Sequence, residues 1–170
     1  DGYVERVRFS WERSLREDLR EADDGSAKWS LVEDYGSKDL IPLTPGLAPR
    51  PHRVAKEVAR ILGVTTPFDL LQTRHYGHVN AQALCDRTPV AVGLIGPVIN
   101  LMNDAELGAV IGHELGHIVA HRAGSVGVHV GAAHRIRPRA PLVAARCSVA
   151  AELTADRFAL LAAQDIDAAV

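Results

Sequence analysis

The chain has 170 residues, of which 47% are hydrophobic and 24% are charged, and its formal net charge is −2. This composition describes a soluble globular domain that can bury a core without disulfide staples. The near-neutral charge argues against a nucleic-acid-binding protein, which normally carries a basic face. No apolar run reaches the roughly 20 residues that a membrane-spanning helix needs. We therefore expect a soluble chain with no transmembrane segment. The compartment stays open, with the cytoplasm slightly favoured, and so does membrane attachment through further segments.

The N-terminal part, residues 1–51, is predicted to hold one helix and a proline-rich connection. Apolar residues at helical spacing between residues 3 and 22 predict an amphipathic helix. Four prolines and two glycines fall within residues 36–51, so this segment is expected to be extended rather than packed. Whether residues 1–35 are a pro-segment stays open.

Residues 52–170 are predicted to form a compact α+β domain. A short helix should end at Gly63, and the period-two pattern over residues 68–95 predicts two or three strands. The strands are expected to be antiparallel because their connections are short. Asn103 and Glu106 predict a capping box at the start of the next helix, which should reach about Arg122. A last helix is predicted over residues 142–163.

The helix after the capping box contains the sequence His-Glu-Leu-Gly-His. His113 and His117 are four residues apart, so both imidazoles lie on one helix face and can bind one metal ion. Zinc accepts imidazole nitrogen, and Glu114 beside the first ligand is placed to deprotonate a water molecule. His121 continues the spacing, but eight helical residues rise about 12 Å, too far for a shared zinc ligand.

The last helix supplies a third ligand. Glu152 and Asp156 are one turn apart in an otherwise apolar helix, where two buried acids would be costly without a positive charge opposite them. We expect Glu152 to bind the zinc and Asp156 to accept the remaining N–H of His113. If both acids are instead surface charges, no metal needs to be nearby.

These motifs resemble those of the gluzincin peptidases, and more narrowly those of the HtpX and CAAX-prenyl-protease family of zinc metallopeptidases. The similarity covers the strand pair Asn80-Ala81, the apolar segment 90–101, the His113–His117 motif and the Glu152–Asp156 motif. It implies a zincin-like domain in which a small sheet containing antiparallel strands packs on the active-site helix and a second helix bearing a metal ligand.

The resemblance implies a zinc-dependent metalloendopeptidase with one Zn²⁺ per chain and peptide or protein substrates. Zinc would activate a water molecule, with Glu114 as the general base. The segment containing Asn80 and Ala81 is expected to be an exposed edge strand beside the active-site helix, where an extended substrate can pair with it. Candidate donors to the oxyanion are His129, His134 and Arg146, and the sequence does not choose among them.

Two features depart from the family pattern. Relatives often carry membrane helices, and this chain has none; Val149 stands where arginine is common. Membrane location and prenylated substrates are therefore not carried over. Two other functions stay open. A peptide-deformylase-like metal amidase would need a cysteine ligand such as Cys85, and a non-catalytic binding domain could keep zinc for structure alone.

Overall fold

The computed structural model describes residues 40–73, 79–85, 88–122 and 141–169. In chain order, the elements of the described residues are β1 (Leu40–Pro42), α1 (Pro49–Leu62), β2 (Phe68–Thr73), β3 (Asn80–Leu84), β4 (Val90–Ile95), α2 (Val98–Leu101), α3 (Asp104–Arg122) and α4 (Pro141–Ala163). The mixed α/β composition of the prediction is confirmed. The helix predicted over residues 3–22 lies outside the described residues, and the division at residues 51 and 52 stays a prediction.

The predicted helix ends are confirmed where local capping sets them. Oδ1 of Asn103 accepts hydrogen bonds from the backbone N–H groups of Ala105 and Glu106 at 2.9 and 3.0 Å. The carboxylate of Glu106 in turn accepts one from the N–H of Asn103 at 2.7 Å, which completes the capping box. Gly63 ends α1 with a φ of 65°, a left-handed conformation that glycine adopts without steric cost.

The four strands of the described residues form one sheet in the order β1-β2-β4-β3. The β3–β4 pair is antiparallel, as predicted, whereas β2 and β4 are parallel, so the all-antiparallel prediction is wrong. Consecutive strands still run in opposite directions along the sequence. Because β4 lies between β2 and β3 in the sheet, it is paired with β2, which runs in the same direction. All six residues of β4 are buried, and a strand that is apolar on both faces suits the centre of a sheet.

The prediction of an extended, unpacked segment over residues 36–51 is also partly wrong. Leu40–Pro42 pairs with β2 as an antiparallel strand, and α1 begins at Pro49. Proline is tolerated in the first helical turn because the N–H groups there have no intrahelical acceptor. Pro49 and Pro51 therefore lie in the first turn of α1.

The core lies between one face of the sheet and the helices, with α3 at its centre. Leu94, Leu107, Ile111 and Leu115 are fully buried in this cluster. Helix α3 packs against α1, α4, β3 and β4. A helix enclosed on several sides needs apolar or small residues around most of its circumference, which explains why its sequence lacks a polar stripe. Among the described helices, none is long and apolar enough to cross a membrane.

An arginine at the start of α1 binds the N-terminal end of α3. The guanidinium of Arg50 donates to the backbone carbonyls of Ile99 and Met102 at 2.6 and 2.5 Å and to Oδ1 of Asp104 at 2.7 Å. Arg53 binds the other carboxylate oxygen of Asp104 at 2.6 Å. These bonds fix the N-terminal end of the helix that carries the histidine motif.

Candidate active site

Helix α3 places His113 and His117 on one face, one turn apart. Their Nε2 atoms are 3.2 Å apart, and their ring planes are inclined at 77°. Both side chains are partly buried, with 24% and 15% of their surfaces exposed. Two imidazole nitrogens therefore point at a common volume at the surface of α3.

Close packing between α3 and α4 brings a carboxylate to the same volume. A Cβ atom on Gly112 would lie 2.4 Å from Cβ of Ala162, and one on Gly116 would lie 3.0 Å from Cα of Ala155. The first distance is too short for a side chain and the second is unusually tight, so the two glycines let the helices approach closely. Glu152 on α4 then faces the histidine pair.

The three side chains form a compact group of possible metal ligands. Oε2 of Glu152 lies 3.4 Å from Nε2 of His113 and 3.8 Å from Nε2 of His117. Ligand atoms held about 2.1 Å from one tetrahedral ion lie about 3.4 Å from each other. The observed separations of 3.2, 3.4 and 3.8 Å fit such an ion. Two imidazoles and one carboxylate are also a ligand set that zinc accepts at catalytic sites.

Asp156 lies one turn beyond Glu152, against the opposite nitrogen of His113. Its Oδ1 is 3.1 Å from Nδ1 of His113. A carboxylate accepts only, so this contact favours the tautomer with the proton on Nδ1 and the lone pair on Nε2. That lone pair is directed at the group formed with His117 and Glu152.

Glu114 is buried next to the histidine pair, between α3 and β3. It is 8% exposed, and burial raises the pKa of its carboxyl group to about 7. The charge of His113 and a hydrogen bond from the backbone N–H of Ala83 lower that pKa, and the charge of Glu152 raises it. A carboxyl group with a pKa near neutrality is able both to accept and to return a proton at physiological pH.

The environment of His117 favours its neutral form. Burial lowers the pKa of this imidazole, and His113 acts in the same direction, whereas Glu152 and Asp156 raise it. A neutral imidazole offers the lone pair that a metal ion requires. The electrostatics of the group therefore agree with its geometry.

Strand β3 borders the site and lies at the edge of the sheet formed by the described strands. Because the N–H of Ala83 serves Glu114, it points away from β4, and alternation directs the N–H of Ala81 to the same side. Asn80 pairs in register with Ile95 of β4. Among the described strands, Asn80 and Ala81 therefore lie at a sheet edge, where the N–H of Ala81 donates to Oδ1 of Asn80 at 2.9 Å.

One of the three candidate oxyanion donors, Arg146, lies among the described residues. His129 and His134 lie outside the described residues. The side chain of Arg146 is exposed on α4. Because Arg146 lies six positions before Glu152, the two side chains leave the helix about 120° apart.

Sequence reasoning missed three contributors to the site. Gly112 and Gly116 set the distance between α3 and α4, and Ala83 positions Glu114 through a backbone N–H. The four-residue spacing of the glycines was visible in the sequence, but the partner helix lies about 40 residues further along. A backbone donor leaves no signal in the sequence at all.

A family model described as Peptidase family M48 matches residues 45–129. The matched segment is half of the chain. It begins between β1 and α1 and continues through α3, so it includes His113, Glu114 and His117 but not Glu152. Neither a search of curated proteins nor a search of solved structures found a match.

Proposed function

Because the chain belongs to Peptidase family M48, a family of metal-dependent peptidases, we propose that it is a zinc-dependent metalloendopeptidase. The family membership confirms the resemblance drawn from the motifs. It makes the chain a peptidase with peptide or protein substrates. The metal, the catalytic base and the substrate-binding strand named below are our proposals.

One observation carries the proposal: three possible ligand atoms from two helices lie within 4.8 Å of one another. His113, His117 and Glu152 would hold the ion, and their separations suit tetrahedral zinc. When bound, zinc supplies a Lewis acid that polarises a peptide carbonyl and lowers the pKa of water. Three protein ligands leave one position of such a site for substrate or water.

Glu114 is proposed as the general base. Its carboxylate would take a proton from the attacking water and later donate it to the departing amine. The hydrogen bond from Ala83 holds this carboxylate at the border between α3 and β3. The positive charge of a bound metal ion would favour the ionised form of Glu114, which the first step needs.

The edge of β3 that faces away from β4 is proposed as the substrate-binding strand. A peptide carbonyl there would replace Oδ1 of Asn80 as the acceptor for the N–H of Ala81. An extended peptide pairing there would be fixed by backbone hydrogen bonds, which do not depend on its sequence. Ala81 and Ala83 have small side chains, which leave room for a second backbone beside α3. Asn80 and Ala81 would then position the peptide with its scissile bond near Glu114.

The two other functions are less well supported. A deformylase-like site would use a cysteine ligand, whereas the ligand group of the described residues is completed by Glu152 and not by Cys85. A domain that keeps zinc only for structure has no use for a buried carboxylate such as Glu114, whose burial is costly.

The test compares zinc content and peptide hydrolysis in the wild-type protein and in two variants. Glu114→Gln should retain one zinc per chain but lose hydrolysis by several orders of magnitude, because an amide cannot accept the proton of water. His117→Ala should lose both zinc and activity. Zinc is measured by elemental mass spectrometry, and hydrolysis is measured with a library of quenched fluorescent peptides.

Glu57→Gln is the matched control, since it makes the same chemical change on the exposed surface of α1 and should leave both quantities unchanged. Hydrolysis by Glu114→Gln at the wild-type rate would overturn the role of this carboxylate. A folded wild-type protein that binds zinc but cleaves no peptide in the library would instead favour a binding domain.

A further inference from the structure

Helix α4 carries a second surface, which shares only Asp156 with the proposed peptidase site. Six of its residues follow one another at alternating spacings of four and three, and all six are exposed: Leu142, Arg146, Val149, Leu153, Asp156 and Leu160. This is the a/d spacing of a two-helix coiled coil. We refer to these six residues as the α4 seam.

The four apolar side chains of the α4 seam are largely exposed to solvent. Leu142 is 80% exposed, Val149 58%, Leu153 52% and Leu160 44%. Single exposed leucines are common on protein surfaces, but an aligned row marks an interface. At 100° per residue, these four side chains leave the helix within about 40° of one another.

The order of residues along the α4 seam is symmetric about Ala151. Leu142 and Leu160 are equally far from it, as are Val149 and Leu153, and Arg146 and Asp156. An antiparallel copy of the helix, related by a two-fold axis at this level, would pair apolar with apolar residues at both outer layers and at the centre. Arg146 of each chain would meet Asp156 of the other.

We propose that two copies of this chain associate through antiparallel packing of their α4 seams. Such an isologous interface is self-complementary, because each contact occurs twice. A parallel arrangement would set Arg146 against Arg146 and Asp156 against Asp156, which like-charge repulsion disfavours. The helices would be in contact over about 27 Å.

The seam charges are available for this pairing. Arg146 is exposed, and the side chain of Asp156 is 64% exposed although its Oδ1 contacts His113. Its second carboxylate oxygen can therefore accept from a guanidinium of the other copy. This association does not depend on the proposed zinc peptidase activity.

The experiment measures the molecular mass of the full chain by sedimentation equilibrium over a range of concentrations. The wild-type protein should form a dimer. Arg146→Asp and Asp156→Arg should each weaken it about tenfold or more, since each places like charges opposite each other twice. The double variant Arg146→Asp/Asp156→Arg should restore it. Leu153→Asp should weaken it more than about a hundredfold.

Leu161→Asp is the matched control, because Leu161 is 60% exposed on the same helix but lies outside the α4 seam. It should leave the dimer unchanged, and circular dichroism checks that each variant is folded. A wild-type chain that is monomeric at about 100 μM would overturn the proposal. So would a dimer that survives Leu153→Asp, or a double variant no better than the single ones.

Discussion

Gly112 on α3 and Ala162 on α4 lie so close that a Cβ atom on the glycine would be 2.4 Å from Cβ of the alanine. The same Cβ would be 3.0 Å from the backbone oxygen of Phe158. No side chain fits between these helices at this level. Because His113 follows Gly112 directly and Glu152 is on α4, the separation of the helices also sets the separation of the proposed ligands.

Gly112→Ala should therefore destabilise the protein and weaken zinc binding together. Forced overpacking of this kind typically costs about 1–3 kcal/mol, which exceeds the roughly 1 kcal/mol that alanine gains over glycine in a helix. The free energy of unfolding is measured by denaturant titration of the zinc-free protein, and zinc affinity is measured by competition with a chelating dye.

Gly108→Ala is the control for this prediction. It lies one turn earlier on α3, where a Cβ would meet Val58 and Val54 at the ordinary distances of 3.6 and 3.8 Å. This variant should be as stable as the wild type or more stable, with unchanged zinc affinity. If Gly112→Ala matched Gly108→Ala in both measurements, close packing at Gly112 would not set the site.

The contrast between these glycines shows what the sequence could and could not reveal. Helix ends were predictable because their signals are local: Asn103 and Glu106 cap each other within one turn. The site histidines were predictable because helical spacing fixes their common face. The partner of Gly112 was not, because it depends on how α4 packs, and nothing near Gly112 in the sequence encodes that.

The order of strands in the sheet was likewise not predictable from local sequence patterns. Alternation predicted β3, and the apolar run over Val90–Ile95 predicted β4, but periodicity identifies a strand and not its neighbours. The position of β4 between β2 and β3 follows from burial on both of its faces. The proposed third ligand, Glu152, was predicted on the argument that two buried acids in an apolar helix need a positive partner. That premise is wrong, since the side chains of Glu152 and Asp156 are 51% and 64% exposed.

Asp156 is predicted to tune the zinc site through His113. Its Oδ1 lies 3.1 Å from Nδ1 of that imidazole, and loss of such a partner typically weakens metal affinity about 10–100-fold. Asp156→Ala should therefore need more zinc for full occupancy, as measured by competition titration.

Arg146→Ala separates this effect from the proposed dimer. It removes the other half of the intersubunit charge pair but leaves the contact between Asp156 and His113 intact. Its zinc affinity should equal that of the wild type. Equal affinities for the wild type and Asp156→Ala would show that the contact with His113 does not support the metal site.

The anchor at the start of α3 predicts a dependence of stability on pH. Hydrogen bonds from Arg53 and Arg50 hold the pKa of Asp104 below its ordinary value. The ionised carboxylate is thus favoured by folding, so its contribution is complete above the unfolded-state pKa of about 3.9 and is lost as pH falls through the lower folded-state pKa.

Asp104→Asn should accordingly lower the melting temperature of the zinc-free protein at neutral pH. The difference from the wild type should narrow below about pH 4. Asp167→Asn, in the C-terminal turn, is the control and should follow the wild type throughout. A difference between Asp104→Asn and the wild type that stayed constant down to pH 3 would show that ionisation of Asp104 is not its source.

The edge of β3 predicts how substrate binding can be weakened without loss of metal. Ala81→Pro removes one N–H that points away from β4 and donates to Oδ1 of Asn80, and proline is tolerated at such edge positions. If a peptide pairs with this edge, the loss of one hydrogen bond should raise KM about tenfold and leave zinc content unchanged.

Ala81→Gly, which keeps the N–H, is the control and should have a KM close to that of the wild type. Ala83 is unsuitable for this test because its N–H binds Glu114. Loss of stability in Ala81→Pro would mean that the hydrogen bond from the N–H of Ala81 to Asn80 supports the fold. A stable variant with unchanged KM would mean that substrate binds elsewhere.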